Sequence, residues 1–586
     1  MITLRALLLA AAVALPAVPA FANDADALAA RHHAPPSRLS EAQRGEYRLV
    51  FAAIRAADWA GAEARLRGLG QGPLHNAALA ELYLAPGSPP IEPGRLLELL
   101  ARAPDLPQAA QIARLARSRG VETLPDLPQA ARLAGLSGQP RRARADATKG
   151  DQAAAELEGL IQPLIKADQP GQAEALLSAR EGELSRAGLT EYQQRIAWSY
   201  YLTNNDGAAR RLADKARSGS GEWVIHAEWL AGLAAWRMRD CEAAGIAFGN
   251  VAIRSTDMEL TAAGHYWAAR ADMLCGRPER VQPRLRSAAR LGETFYGLLS
   301  SSALGVEKPT AGALHDFRDA EWAGIAVRPN VVAAIALAEI GERGHADTFI
   351  KHEARIASGN HNALLHLAAD LNLAGTQFWL AHNAPRGTSV NVAARYPAPD
   401  WRPARGWRVD KSLAFAHALQ ESNFRTQVIS PAGASGLMQV RPGTAGDFAR
   451  ARGEPFSPQQ LSEPAVNLEY GQSFIELLRD HHSTGGLLPK VIAAYNAGPV
   501  PIAAWNGRRI DGGDPLLYIE SIPYWETRGY VPIVLRNYWI YEQQAGKDSA
   551  SRAALAQGMW PRFPGLPGAT AVRLTGSSAT SQQGTE

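Results

Sequence analysis

Glu421 stands where a carboxyl group can be held rigidly and still meet a ligand. A helical run begins near Asp410, a suitable N-cap, and Leu413, Phe415, Ala416 and Leu419 give it a buried face. The run ends at Ala418-Leu-Gln-Glu421-Ser-Asn-Phe424, and irregular chain with glycines at 433 and 436 follows. A carboxylic acid in an apolar setting keeps its proton to higher pH and can donate it near neutrality. Phe415, Leu419, Phe424, Leu437 and Met438 are close enough in sequence to supply that setting. The competing reading is a solvated glutamate at a helix end, the fate of most glutamates. In the stretch after Glu421 no acidic residue occurs until Asp447, which starts a separate helical run.

Three blocks in order decide between these readings. They are Glu421-Ser-Asn-Phe424 with Ser430-Pro-Ala-Gly433-Ala-Ser-Gly436-Leu-Met-Gln439, then Ala493-Ala-Tyr495-Asn-Ala-Gly498-Pro499, then Ile519-Glu520-Ser-Ile-Pro523-Tyr-Trp-Glu526-Thr-Arg528-Gly-Tyr530-Val. One short motif carries little weight, but three in register between Glu421 and Val531 are specific. The chain resembles the soluble lytic murein transglycosylases, which cleave peptidoglycan.

The resemblance implies a glycosidase chemistry with one carboxyl. Most glycosidases use two, whereas this family's glutamate acts first as acid and then as base. It deprotonates the muramic sugar's own C6 hydroxyl, so the ring closes as a 1,6-anhydro product and water is not consumed. Such an intramolecular attack gains from effective concentration. Glu421 takes that role here, and sequence distance alone leaves Glu520 and Glu526 open as further members of the site. In the loop, Ser430 and Gln439 offer a hydroxyl and an amide to a sugar, and Met438 can line an apolar sugar face. Gly433 and Gly436 allow close backbone approach, or serve turn geometry alone. Where the family usually has Met, this chain has Arg441, which could meet a peptide-stem carboxylate. The resemblance places Tyr495 beside the acid, donating to its carboxylate or holding the sugar, with Asn496 doing the same or capping the turn. Glu526 matches a substrate-binding glutamate, while Arg528 and Glu520 fit structural ion pairs or hydrogen bonds better. Pro499-Val-Pro501 departs from the family's commoner Gly-Arg continuation.

The elements that must carry these residues are helical. From residue 23 to about 390, helix-sized apolar segments alternate with short Gly, Pro, Asp or Asn breaks. Trp229, Leu233 and Trp236, then Ala244, Ala247, Phe248 and Val251, then Trp267, Ala271 and Leu274, keep a helical period. Helix pairs with a period in the thirties predict an α-solenoid whose stripes are core packing. Glu293-Thr-Phe295-Tyr296-Gly297-Leu298-Leu299 is similar to a block in the family's long helical region, which closes into a ring. The expected organisation is all-α. A signal peptide occupies 1–22, a superhelix 23–324, and a helical linker domain, by resemblance, 325–395. A Pro-rich connector follows at 396–409, a lysozyme-like catalytic domain at 410–546, and a flexible tail at 547–586.

The first residues read as a secretory signal: Arg5, an apolar run from Ala6 to Val18, and the small-x-small site Ala20-Phe21-Ala22. The run is short and broken by Pro16 and Pro19, which argues against a membrane anchor. Export to a bacterial periplasm is the expectation. Cys241 and Cys275 are 34 residues apart. If they occupy equivalent places in neighbouring repeats they sit too far apart for a bridge, so free buried thiols are expected. The formal charge of +4 is too small to name a partner. His32-His33 and His481-His482 are adjacent pairs that point apart on a helix; no metal motif, phosphate loop or nucleic-acid stripe is present. No cofactor or metal is expected. The resemblance names peptidoglycan strands as substrate and leaves the superhelix to dock cell-wall synthesis or division proteins. The alternatives are a hydrolytic muramidase of the same fold and a non-catalytic wall-binding scaffold.

Overall fold

In a computed structural model, residues 35–306, 314, 319–507 and 511–574 are described. The expected signal peptide and His32-His33 lie outside the described residues, as do the last residues from 575. The fold is almost wholly helical. Among the described residues the named strands are two short antiparallel pairs, Ala134–Gly135 with Asn383–Ala384 and Trp560–Pro561 with Ala571–Val572.

Successive helix pairs are built as the periodicity predicts. Asp240 accepts from the Ala243 amide to cap the helix Cys241–Arg254, and Asp257 caps Met258–Leu274 through the Leu260 amide. Trp229, Phe248 and Trp267 of three successive helices then meet as a buried aromatic cluster, with ring centroids 5.1–6.4 Å apart.

Cys241 and Cys275 are bridged, contrary to expectation. Cys241 is the first residue of one helix and Cys275 caps the end of the next, so the two lie at the same end of an antiparallel pair. Their Cα atoms are 5.6 Å apart, within bridging distance. The error was to treat the spacing as one repeat to the next rather than once up and once down.

Two cores hold the chain. One joins the helices between Glu41 and Ser118 to those between Pro329 and His382. The stretch 325–395, expected as a linker domain, therefore shares its core with the start of the chain. The Arg38 amide donates to Glu339 (2.7 Å), Arg55 pairs with Glu342 (2.5 Å) and Asn330 donates to the Asp105 carbonyl (2.8 Å). The start of the described chain is thus tied to the helices of the stretch 325–395. The second core runs from Ala154 to Leu299 and continues into residues 409–563.

Between the helices Ala109–Ser118 and Gln152–Lys166 the chain crosses from one core to the other as an extended strap. Leu136 bonds to the His382 carbonyl (2.9 Å), the Pro140 carbonyl accepts from buried Arg536, and Arg142 forks onto Glu520 at 2.6 and 3.0 Å.

The stretch from 547, expected to be a flexible tail, is ordered as far as Leu574. Ala550–Ala556 is a helix, Leu555, Trp560 and Phe563 are buried, and the Trp560 indole donates to the Gly513 carbonyl (2.8 Å). Three apolar anchors suffice, and the Ser, Thr and Gly content of the last residues masked them. His481 and His482 do not point apart: both lie beyond the helix Pro464–Asp480, with ring centroids 4.3 Å apart.

Candidate active site

Three helices and one loop build the site. Glu421 comes from Lys411–Ser422, whose N-cap Asp410 accepts from the Ser412 amide (2.7 Å) as expected. The helix ends abruptly because Asn423 and Phe424 both take left-handed conformations, at φ 52° and 60°. That geometry is costly for a bulky residue. It is offset by burial of the Phe424 ring against Phe415 (5.6 Å) and Trp401 (6.1 Å).

The loop that follows is clamped from behind. Buried Asn467 accepts from the Met438 amide and donates to the Ser435 and Leu461 carbonyls, each at 2.8 Å. Gly436 has φ +75°, and a Cβ there would collide with the Leu461 carbonyl and the Asn467 amide. Packing alone is thus enough to require glycine at 436. Met438, expected to line a sugar face, is fully buried with its sulfur against Gly471; only its carbonyl faces the site. The Ser430 hydroxyl accepts from the Ala434 amide (3.0 Å), and the Gln439 amide donates to the Gly436 carbonyl (2.8 Å). Both side chains therefore shape the loop. Gly433, at φ +79°, has open space around it.

Tyr495 lies beside the acid, but its hydroxyl donates to the Met438 carbonyl (2.7 Å). The hydroxyl that reaches Glu421 is that of Tyr530, 2.6 Å from Oε1. His417, one turn before Glu421, is fully buried, with Nδ1 2.8 Å from the Tyr530 hydroxyl and its ring 4.4 Å from that of Tyr495. Tyr530, His417 and Asn467 escaped sequence reasoning. The signal available was helical spacing: His417 and Glu421 are i, i+4, as are Glu526 and Tyr530.

Asn496 donates to Glu526 (3.2 Å) and accepts from Thr527 (2.5 Å), tying the helix Leu488–Ala497 to Trp525–Gln544. Beyond Gly498 the departing Pro499 opens a further helix, Pro499–Gly507. Glu520 turns away from Glu421, into Arg142 and the Tyr296 hydroxyl (2.7 Å). Arg528 lies over the Trp198 ring (4.0 Å) and the Trp525 ring (5.1 Å) and donates to the Ile522 carbonyl (3.0 Å). Both have the structural roles expected of them. Arg441 is exposed at the start of Pro442–Ala451.

Burial pushes the Glu421 carboxyl up to about 7, and the negative charge of Glu526 adds to this against the opposing Tyr530 hydrogen bond. Burial pushes His417 down to about 3, so its ring is neutral. Phe415, Leu419, Phe424, Leu437 and Met438 are all buried here, as their proximity in sequence predicts. The site can therefore hold a proton on one carboxyl near neutral pH. Next to it, Gln420, Glu526 and Tyr530 line a cavity of about 420 Å³ whose other walls include Arg141, Arg142 and Arg144 of the strap.

Residues 402–514 match the Transglycosylase SLT domain family. A soluble lytic murein transglycosylase of Salmonella typhimurium is 38% identical over 151 residues, 25% of this chain and 23% of that protein. The match thus spans about a quarter of the relative's length. Two solved structures share the fold over 90% of this chain. The 70 kDa soluble lytic transglycosylase of Escherichia coli has a TM-score of 0.51 at 17% identity and is covered in full. An inactive mutant of the lytic transglycosylase Slt of Pseudomonas aeruginosa has a TM-score of 0.53 at 22% identity and is covered over 79%. Residues 402–514 thus match the transglycosylase SLT domain family, in a chain whose helical fold is similar to that of the solved lytic transglycosylases.

Proposed function

We propose that this protein is a periplasmic lytic transglycosylase that cuts the MurNAc–GlcNAc β-1,4 bond of peptidoglycan, with Glu421 as its acid and base. The observation that carries the reading is the Glu421 carboxyl itself, part-buried, raised to about 7 by desolvation and accepting from the Tyr530 hydroxyl. Protonated, it gives its proton to the leaving GlcNAc oxygen as the bond to muramic C1 breaks. As carboxylate, it takes the proton of the C6 hydroxyl as that oxygen closes on C1, and the enzyme ends as it began. Of the arginines lining the neighbouring cavity, Arg141 and Arg144 suit an anionic polymer, while Arg142 is held by Glu520. Glu526 and Asn496, fixed to each other at the site's edge, are the side chains we assign to substrate binding. Ser430, Gly436, Met438, Gln439 and Tyr495 support the site by holding its loop.

Mass spectrometry of digested sacculi tests the reaction. Muropeptides with 1,6-anhydro ends are expected, and reducing muramic ends would assign a hydrolase instead. Glu421→Gln should retain glycan binding and lose at least about 10³-fold in turnover, the scale of a lost general acid–base group. Undiminished product release would reject the acid assignment.

A further inference from the structure

We propose that His417 is a positioning residue: its Nδ1–H donates to the Tyr530 hydroxyl, which fixes that hydroxyl as donor to Oε1 of Glu421 and leaves Oε2 to carry the proton that is exchanged. This rests on the reading of Glu421 as the acid.

The direction of the chain follows from counting protons. The Tyr530 hydroxyl has one hydrogen and two neighbours, Oε1 of Glu421 at 2.6 Å and Nδ1 of His417 at 2.8 Å. It can donate to only one of them. The far nitrogen of His417, Nε2, is buried without a hydrogen-bond partner. A buried N–H with no acceptor is a rarer and costlier state than a bare lone pair. The neutral ring therefore carries its hydrogen on Nδ1, the tyrosine oxygen accepts it, and the tyrosine hydrogen points to Glu421. Burial with no charged neighbour keeps the ring neutral, so this orientation does not reverse as the acid titrates.

The groups around the carboxyl are few. Tyr530 and Glu526 face it from Trp525–Gln544, Tyr495 and Asn496 come from Leu488–Ala497, and His417 shares its helix. Tyr495 is engaged by the Met438 carbonyl, so it does not compete for Oε1. A hydrogen bond donated to a carboxylate favours the charged form, and an Nδ1–H behind the tyrosine strengthens that donation. His417 thus restrains the rise that burial imposes on Glu421, keeping the same group usable as acid and as base.

The pH profile of kcat/KM on isolated glycan strands tests this. Activity in the wild type should fall as pH rises through about 7, where Glu421 loses its proton. His417→Phe fills the space without a donor and should move that limb upward by about half to one pH unit. His417→Asn keeps an N–H near the Nδ1 position and should return the limb towards the wild type. An unmoved limb in His417→Phe, or the same shift in His417→Asn, would overturn the proposal. Should His417→Phe fail to fold, nitrogen-15 NMR of the wild type decides, with His417→Asn assigning the signal. A protonated Nδ1 and bare Nε2 from pH 5 to 8 are expected, and the Nε2–H tautomer overturns the relay. An inactive Glu421→Gln beside an unmoved His417→Phe limb sinks the relay alone, whereas an active Glu421→Gln sinks the acid assignment.

Discussion

Replacing Glu421 by Gln should stabilise the protein at alkaline pH and leave it unchanged at acid pH. Glutamine mimics the protonated acid in shape and still accepts from Tyr530. The carboxyl rises from its ordinary 4.5 to about 7 on folding. Between those values the unfolded chain gives up the proton and the folded chain keeps it, so the unfolded state binds fewer protons and stability falls as pH rises. A rise of about 2.5 on the pH scale corresponds to about 3.5 kcal/mol at roughly 1.4 kcal/mol each. Glu421 is only part-buried by surface area, and water on its open side screens the charge, which brings the figure to about 1.5–2 kcal/mol. The assay is thermal or urea unfolding of both proteins from pH 4 to 9. The difference between them is read, because Glu259 and Glu542, also raised by burial, titrate alike in both and cancel. The gap should be near zero below pH 4.5, open between 4.5 and 7, and stay constant above. A gap independent of pH would show that the carboxyl titrates alike folded and unfolded, and the burial argument would fail.

Gly436→Ala forces a side chain into the Asn467 clamp at a positive φ. It should cost at least about 2 kcal/mol in urea unfolding and disorder the loop. Replacing both Cys241 and Cys275 by Ser reopens a 34-residue loop, for which chain entropy gives an upper figure of about 4 kcal/mol. The loss should appear in thermal unfolding of the superhelix, with glycan turnover retained at low temperature. Arg528→Lys should cost about 1–2 kcal/mol, because an ammonium cannot lie flat between the Trp198 and Trp525 rings. Equal stability of that variant would show that the stacking contributes nothing.

What the sequence disclosed followed from locality. The Asp410 cap, the helix that delivers Glu421 and the apolar residues around it lie within about thirty positions, where period and capping chemistry act directly. The helical nature of the N-terminal region was equally readable, since each stripe packs on the next one in sequence. What stayed hidden depends on which surfaces meet. Tyr530 lies 109 residues beyond Glu421, and nothing in its neighbourhood says that it, rather than Tyr495, takes the carboxylate. Met438 looked like a ligand contact because an apolar side chain in a glycine loop has no local reason to be buried; the reason is Gly471 on another helix. The disulfide was missed because spacing alone does not say whether a chain has gone once along or up and back.

The strap has a consequence for the protein's modularity. Glu520 is neutralised by Arg142, Arg536 pairs with Glu259 and donates to the Pro140 carbonyl, and the face of Trp539 is covered by Phe295. The inner wall of residues 400–574 is therefore supplied by chain up to four hundred positions earlier. Those residues are not a portable cassette: cut free, they would leave Glu520 without Arg142 and Tyr296, Arg536 with Asn537 alone, and one face of the Trp539 ring bare. The same wiring runs the other way. A deletion in the plain stretch before Arg142 would tug on the helix that presents Tyr530 to its glutamate.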